Sequence, residues 1–182
     1  MKKIALLLLA VSLAMLSACS TVNDLSYLAN EKPTLDMKTW FNGTLDAWGM
    51  FQDRSGKVVK RFHVEIVCSW QGDTGTLDEN FLYADGTRQR RVWTLKKQGP
   101  DRFIGTAPDV VGEANGIVSG NALHWNYVLA LPVDGHIVNV DFDDLMVLMD
   151  DKVMLNRATM SKFGIRLGEV TLSFQKRGQV RP

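Results

Sequence analysis

The chain has 182 residues, 46% of them hydrophobic, and 21 Lys and Arg stand against 20 Asp and Glu for a formal charge of +1. That balance has no basic excess with which to neutralise a phosphate backbone, which argues against nucleic acid as a partner. The length suits one domain that buries its core without staples.

The chain opens with Lys2 and Lys3, runs apolar from Ile4 to Leu16, and reaches the small-residue stretch Ser17-Ala18-Cys19-Ser20. This is the order of a secretory signal, and the apolar run falls short of the roughly 20 residues that a membrane-spanning helix needs. Its end, Leu16-Ser17-Ala18-Cys19, resembles the lipobox of bacterial lipoproteins. The resemblance implies cleavage after Ala18 and acylation of Cys19, and more than one acyl chain gives stable anchoring. Loss of Lys2 and Lys3 takes the formal charge from +1 to −1. Ser20 stands where aspartate would resemble an inner-membrane retention signal, so the expected place is the outer membrane, facing the periplasm. Residues 20–34 are polar, contain Pro33 and read as a tether. The expected organisation is a signal peptide over 1–18, a lipidated tether over 19–34 and a β-barrel domain over 35–182.

After the tether, short alternating runs recur between turn signals, with no sustained helical period. A strand is predicted over Gly43 to Gln52, a turn at Asp53-Arg54-Ser55-Gly56, and a second strand over Val58 to Trp70. In that second strand Phe62, Val64 and Ile66 share one face, with Arg61, His63 and Glu65 on the other. Leu77 to Tyr83 leads into Asp85-Gly86, a hairpin signal in which both turn residues take positive φ, and Arg88 to Leu95 returns. Arg102 to Thr106 follows, then one short strand between Ala107 and Asn121. Ala122 to Leu131 alternates Leu123, Trp125, Tyr127, Leu129 and Leu131 against His124, Asn126, Val128 and Ala130. Pro132-Val133-Asp134-Gly135 turns the chain into His136 to Leu148. Val153 to Met160 and Val170 to Gln175 complete the series.

Nine or ten short strands in up-and-down order leave open edges unless the sheet closes on itself. The predicted fold is therefore all-β, an antiparallel barrel of eight to ten strands that is lipocalin-like. A barrel of this size either fills its interior with side chains or holds one small ligand.

Few residues carry a chemical signature. His63, His124 and His136 fall in no metal-ligand spacing, Ser119 and Ser173 lack a nucleophile elbow, and Cys68 lies in the apolar run Ile66-Val67-Cys68, as a buried structural thiol does. No metal, cofactor or catalytic residue is assigned. The acidic stretch Asp141, Asp143, Asp144, Asp150 and Asp151 reads as a solvated face and a turn. Arg88, Arg90 and Arg91 read as one charged strand face beside Trp93. His124, Asn126 and Arg157 are the candidate ligand contacts. Arg157, next to Asn156 in an otherwise apolar strand, would need a partner such as Glu169 if it faced inward.

Two segments, GTLDAWGMFQDRSG over Gly43 to Gly56 and LNRATMSKFGIRLGEVT over Leu155 to Thr171, together with the lipobox, resemble the proteobacterial lipoproteins grouped as domain of unknown function 3833. The likeness spans nearly all of the chain after the signal and brings no activity with it. A broader likeness to lipocalins rests on strand count and meander order. Lipocalins often carry Gly-X-Trp in the first strand, whereas this chain has Trp48-Gly49. These features point to a noncatalytic binder or carrier of a lipid or other hydrophobic ligand. The alternatives are a structural or assembly lipoprotein that holds an envelope protein partner, and an enzyme acting on lipid. A hollow interior would favour the first and a filled one the second.

Overall fold

The computed structural model of the protein describes residues 25–178, so the expected signal peptide and Cys19 lie outside the described residues. Ten strands follow in order: β1 (Gly43–Asp53), β2 (Val58–Gln71), β3 (Thr74–Tyr83), β4 (Arg88–Lys97), β5 (Arg102–Thr106), β6 (Ala114–Ser119), β7 (Ala122–Val133), β8 (His136–Leu148), β9 (Val153–Lys162) and β10 (Ile165–Lys176). Each pairs antiparallel with the next, and β10 returns to β1, so the sheet is a closed up-and-down barrel. The predicted class and strand count hold. The strand bounds are wider than predicted in places, since β3 starts at Thr74 and β10 at Ile165.

Period-two alternation decides what the barrel encloses. Leu45 and Ala47 of β1, Val64 and Ile66 of β2, and Met154 and Ala158 of β9 point inward and are almost fully buried. Cys68 is among them, and burial pushes its thiol up to about 12, which leaves it an inert packing group. Gly105 and Gly116 face the Trp125 ring so closely that a Cβ would stand 2.5 and 2.4 Å from it. The glycines of β5 and β6 therefore seat a large indole in the wall.

Four of the five turns at one end are short hairpins, the exception being the β5–β6 connection over residues 107–113. At Asp134-Gly135 both residues take positive φ, at 48° and 79°. The expectation of the same geometry at Asp85-Gly86 is corrected: only Gly86 has positive φ. That turn is one step longer, with Tyr83 N–H donating to Thr87 O and the Asp85 carboxylate accepting from Thr87 N–H. The side chain thus takes over work that a second left-handed residue would have done.

The other end is plugged. The one-turn helix α1 (Met37–Trp40) is capped by Asp36, whose carboxylate accepts from Thr39 N–H at 2.7 Å. It presses Met37, Trp40 and the following Phe41 into the core. The chain before it also packs on this end. Leu25 is buried and its carbonyl accepts from Ser119 Oγ, while Leu35 N–H donates to Gly120 O. Gly120 is required here, because a Cβ would lie 1.7 Å from Leu28 O. From Leu25 onward the segment expected as tether thus lies against the barrel.

The wall has one irregular stretch. β5 pairs with β4 only over Thr94 to Lys97, leaving the mouth-side half of β4 without a strand on the side away from β3. Residues 107–113 fill the gap: Val110 bridges to Leu129, Val111 N–H donates to Val128 O, and Ala130 N–H donates to Asp109 O.

Candidate functional site

The barrel is hollow. Above the floor made by Met37 and Phe41 lies a cavity of about 320 Å³, lined chiefly by inward aromatic and aliphatic side chains. That volume falls at the small end of ligand pockets, and the mix of an apolar wall with a few convergent polar groups is typical of them. Ten strands give a wider bore than the eight whose side chains can just fill it.

One side of the cavity is an aromatic wall. Trp93 of β4 meets Trp125 and Tyr127 of β7 edge-on, with ring centroids 5.8 and 5.4 Å away, and Tyr127 stacks on Phe142 of β8 at 5.0 Å. These rings bring rigid apolar area to the cavity with little ordering cost beyond that of folding.

Set into this wall is a polar cluster that alternation carries inward with its neighbours. Glu79 stands between Leu77 and Phe81, Arg91 between Gln89 and Trp93, Asp144 between Phe142 and Met146, and Asn156 between Met154 and Ala158; all four line the cavity. Arg91 is the cation of the group. Its guanidinium donates to both oxygens of Asp109, at 2.8 to 3.0 Å, and so ties the gap-filling residues 107–113 to β4. Its remaining nitrogen is 3.7 Å from Glu79 Oε2, which is too long for a hydrogen bond, and that oxygen has no partner.

Asp144 is 6% exposed and Asn156 2%. Asp144 Oδ1 and both polar atoms of the Asn156 amide lack a hydrogen-bond partner of good geometry. Burial pushes the Asp144 carboxyl up to about 8; the nearby Asn156 amide pulls the other way and the charge of Asp143 adds to the rise. Burial pushes Glu79 up to about 7 against the pull of Arg91. Burial also holds the Tyr127 phenol well above its ordinary value, with Asp144 adding to the effect. Buried carboxyls held toward neutrality mark sites where something other than structure is being served more often than ordinary positions do.

The residues singled out from sequence sit elsewhere. His124, Asn126 and Arg157 do not line the cavity, since each follows or precedes an inward residue and faces out. His124 is buried on the outer wall, with Nε2 2.6 Å from Asp143 Oδ1. Asn126 lies across from Asn115 and Asp143. Arg157 is 68% exposed and 3.9 Å from Glu169, which is met more closely by Arg166. Its neighbour Asn156 is the inward one of that pair. Two further readings are corrected by the same alternation. Asp144 is not part of a solvated acidic face, and Arg91 is not on one face with Arg88 and Arg90. His63 is on the outer wall beside Asp46 and Trp48. Among the described residues no three His, Cys, Asp or Glu side chains converge as metal ligands.

The end opposite the floor is the mouth, and exposed apolar side chains stand on its rim among charged ones such as Arg54 and Lys57. Phe163 at the β9–β10 turn is 88% exposed, Ile137 67% and Ile165 62%, with Val58, Val59 and Val133 also exposed around the same end. Lys60 lines the cavity near that rim, with its ammonium 5.3 Å from the Tyr83 ring centre.

The fold is similar to solved barrels. A structure of S-type phycobiliprotein lyase CPES from Guillardia theta superposes with a TM-score of 0.59 at 5% identity, covering 87% of this chain and 99% of that one. A de novo designed fluorescence-activating β-barrel gives 0.45 at 12% identity, covering 79% and 99%. A redesigned β-barrel gives 0.43 at 12% identity, covering 80% and 100%. These likenesses concern architecture. No curated protein sequence matches the chain. A family profile does match, over residues 13–176, which takes in the whole barrel and both segments noted from sequence. The chain therefore belongs to the family described as protein of unknown function DUF3833.

Proposed function

We propose that this protein is a membrane-anchored bacterial lipoprotein that binds or carries a lipid or other hydrophobic molecule inside its barrel, without turnover, at the periplasmic face of the outer membrane. The observation that carries the reading is the hollow, aromatic-lined interior with its few unpartnered polar atoms. An apolar cavity of this kind stabilises an apolar guest by roughly 25 cal/mol for each Å² it removes from water. The exposed apolar side chains at the mouth give such a guest an apolar surface to meet before it enters.

The test is native mass spectrometry of the full chain purified from bacterial cells, followed by lipid analysis of what dissociates. A stoichiometric apolar ligand is expected, and Ala158→Phe, which projects a ring into the cavity, is expected to abolish it. A parent chain that stays ligand-free after exposure to membrane extract would overturn the reading.

The anchor rests on Leu16-Ser17-Ala18-Cys19 and on Ser20. Cys19→Ala is expected to move the protein from the membrane to the soluble fraction and to remove the mass of the acyl chains; unchanged fractionation and mass would refute it. Five residues separate Cys19 from Leu25, and the six steps along the chain reach at most about 22 Å. With Leu25 held at the floor end, the mouth would point away from the membrane that holds the acyl chains.

A second reading has one observation of its own. On the outer wall Trp48, half exposed, stands beside Met50, Leu82 and Leu155 in an apolar groove. An envelope protein would find its contact there.

A further inference from the structure

We propose that the cavity takes its ligand by a hydrogen-bond-donating head, an amine above all, seated between Asp144, Asn156 and Glu79. The inference rests on the cavity being a ligand site and adds the chemistry of what fills it.

Three acceptor oxygens of cavity-lining residues, Asp144 Oδ1, Glu79 Oε2 and Asn156 Oδ1, are buried without a hydrogen-bond partner, as is the donor Asn156 Nδ2. They come from three strands, β8, β3 and β9, and no fold requirement calls for them, since each occupies a position flanked on its own face by apolar residues. Leaving a buried polar atom unpaired costs about 1–3 kcal/mol, a cost a donor group in the cavity would remove.

The charge around them selects the sign of that group. Glu79, Asp109 and Asp144 supply three carboxyls, and Arg91 is the cation set among them. The forked donors of Arg91 are committed to Asp109. An anionic head would meet two carboxyls, and the one charged donor left to it, Arg91 Nη1, already stands 3.7 Å from Glu79; the other donors, the Asn156 amide and the Tyr127 hydroxyl, are neutral. The remaining cation of the lining, Lys60, is exposed near the rim and away from the acceptors. A protonated amine meets the opposite situation: acceptors on three sides, two of them carboxyls that can ionise to match its charge. An ammonium seated there would return the carboxyls to their ionised form, reversing what burial does to them in the empty cavity. The aromatic wall of Trp93, Trp125 and Tyr127 adds ring faces that attract a cation and an apolar body alike.

Phenylbutylamine, phenylbutanol and phenylbutanoate share one apolar body and differ in the head. Their binding is measured by titration calorimetry and tryptophan fluorescence on the full chain in phospholipid nanodiscs, with empty nanodiscs subtracted. The amine is expected to bind at least about tenfold more tightly than the carboxylate, with the alcohol between, where tenfold corresponds to 1.4 kcal/mol. In Asp144→Asn with Glu79→Gln the three probes are expected to fall within about threefold of one another, close to 0.6 kcal/mol. A carboxylate that binds the parent as tightly as the amine, with tryptophan fluorescence responding, overturns the head-group assignment and leaves the cavity as a ligand site. Failure of all three probes to bind overturns the ligand-binding reading and this inference with it. The ranking in the parent decides the matter even if the double variant does not fold.

Discussion

Replacing Arg91 by methionine is expected to destabilise the barrel by about 3–5 kcal/mol at neutral pH, the usual cost of leaving a buried charge without its partner. Arg91 is 13% exposed and faces Glu79, at 14%, and Asp109, at 28%. Without it Asp109 loses a bidentate partner, and the buried Glu79 carboxyl loses the larger of the two influences, Arg91 and the Trp93 side chain, that oppose its desolvation. The effect has a place as well as a size. Asp109 lies in residues 107–113, which stand where β4 has no strand on its β5 side. Hydrogen exchange is therefore expected to rise first at Val111 and Ala130, whose N–H groups hold that stretch to the wall. Urea unfolding gives the total, and adding Asp109→Asn to Arg91→Met should recover part of the loss. Equal stability of parent and Arg91→Met would show that the pair contributes nothing.

The second large effect is on the dependence of stability on pH. Asp144 and Glu79 have folded-state pKa values of about 8 and about 7, above their ordinary 3.8 and 4.5. A carboxyl whose pKa is raised by folding holds its proton more tightly when folded. Its stabilising contribution is full below the unfolded value and is lost as pH rises through the folded one. The barrel is thus expected to lose stability as pH rises, between 3.8 and about 8 through Asp144 and between 4.5 and about 7 through Glu79, at up to about 1.4 kcal/mol per pH unit for each. The groups facing Asp144 are Tyr127, Asn156, Asp143, Arg91 and Glu79. Carboxyls held low by partners, such as Asp46 beside Arg177 and Asp78 beside Arg90, act in the opposite sense and only at more acid pH. Asp144→Asn isolates the effect. It should match the parent below about pH 4, exceed it at pH 8 and show a shallower slope between them; a slope unchanged by the substitution would mean Asp144 is not buried as a proton-holding group.

The barrel was readable from alternation and turn residues, because a strand buried on one face writes its period directly into the sequence. His136 to Leu148 and Arg102 to Thr106 were placed to the residue. The polar cluster was readable by the same rule and was missed for a local reason. In Phe142-Asp143-Asp144 the two aspartates read together as a charged patch, although Val140 and Phe142 put the second of them on the inward face. Glu79 was hidden in Asp78-Glu79-Asn80, and Arg91 in Arg88-Gln89-Arg90-Arg91, by the same habit of reading charge as surface. His124, Asn126 and Arg157 attracted notice because they interrupt apolar strands, but one-residue parity sends each of them outward. What no local pattern could show is that ten strands close with room to spare, since the bore depends on strand number and on which glycines admit Trp125 into the wall.

The seam between β1 and β10 joins residues 115 to 131 positions apart, from Asp53↔Gly168 to Leu45↔Lys176, while every other ladder joins neighbours in sequence. Nine hairpins can therefore zip locally, but the ring cannot shut until the last strand is available, and Arg177 then clasps Asp46 and Glu65 across the joint. Until that moment the sheet has two bare edges with free backbone donors and acceptors, and an apolar interior open to whatever strand or membrane is near. The slow, vulnerable step for this protein is thus the final one of its folding, and substitutions in β10 should be felt as aggregation during maturation before they are felt as instability of the finished barrel.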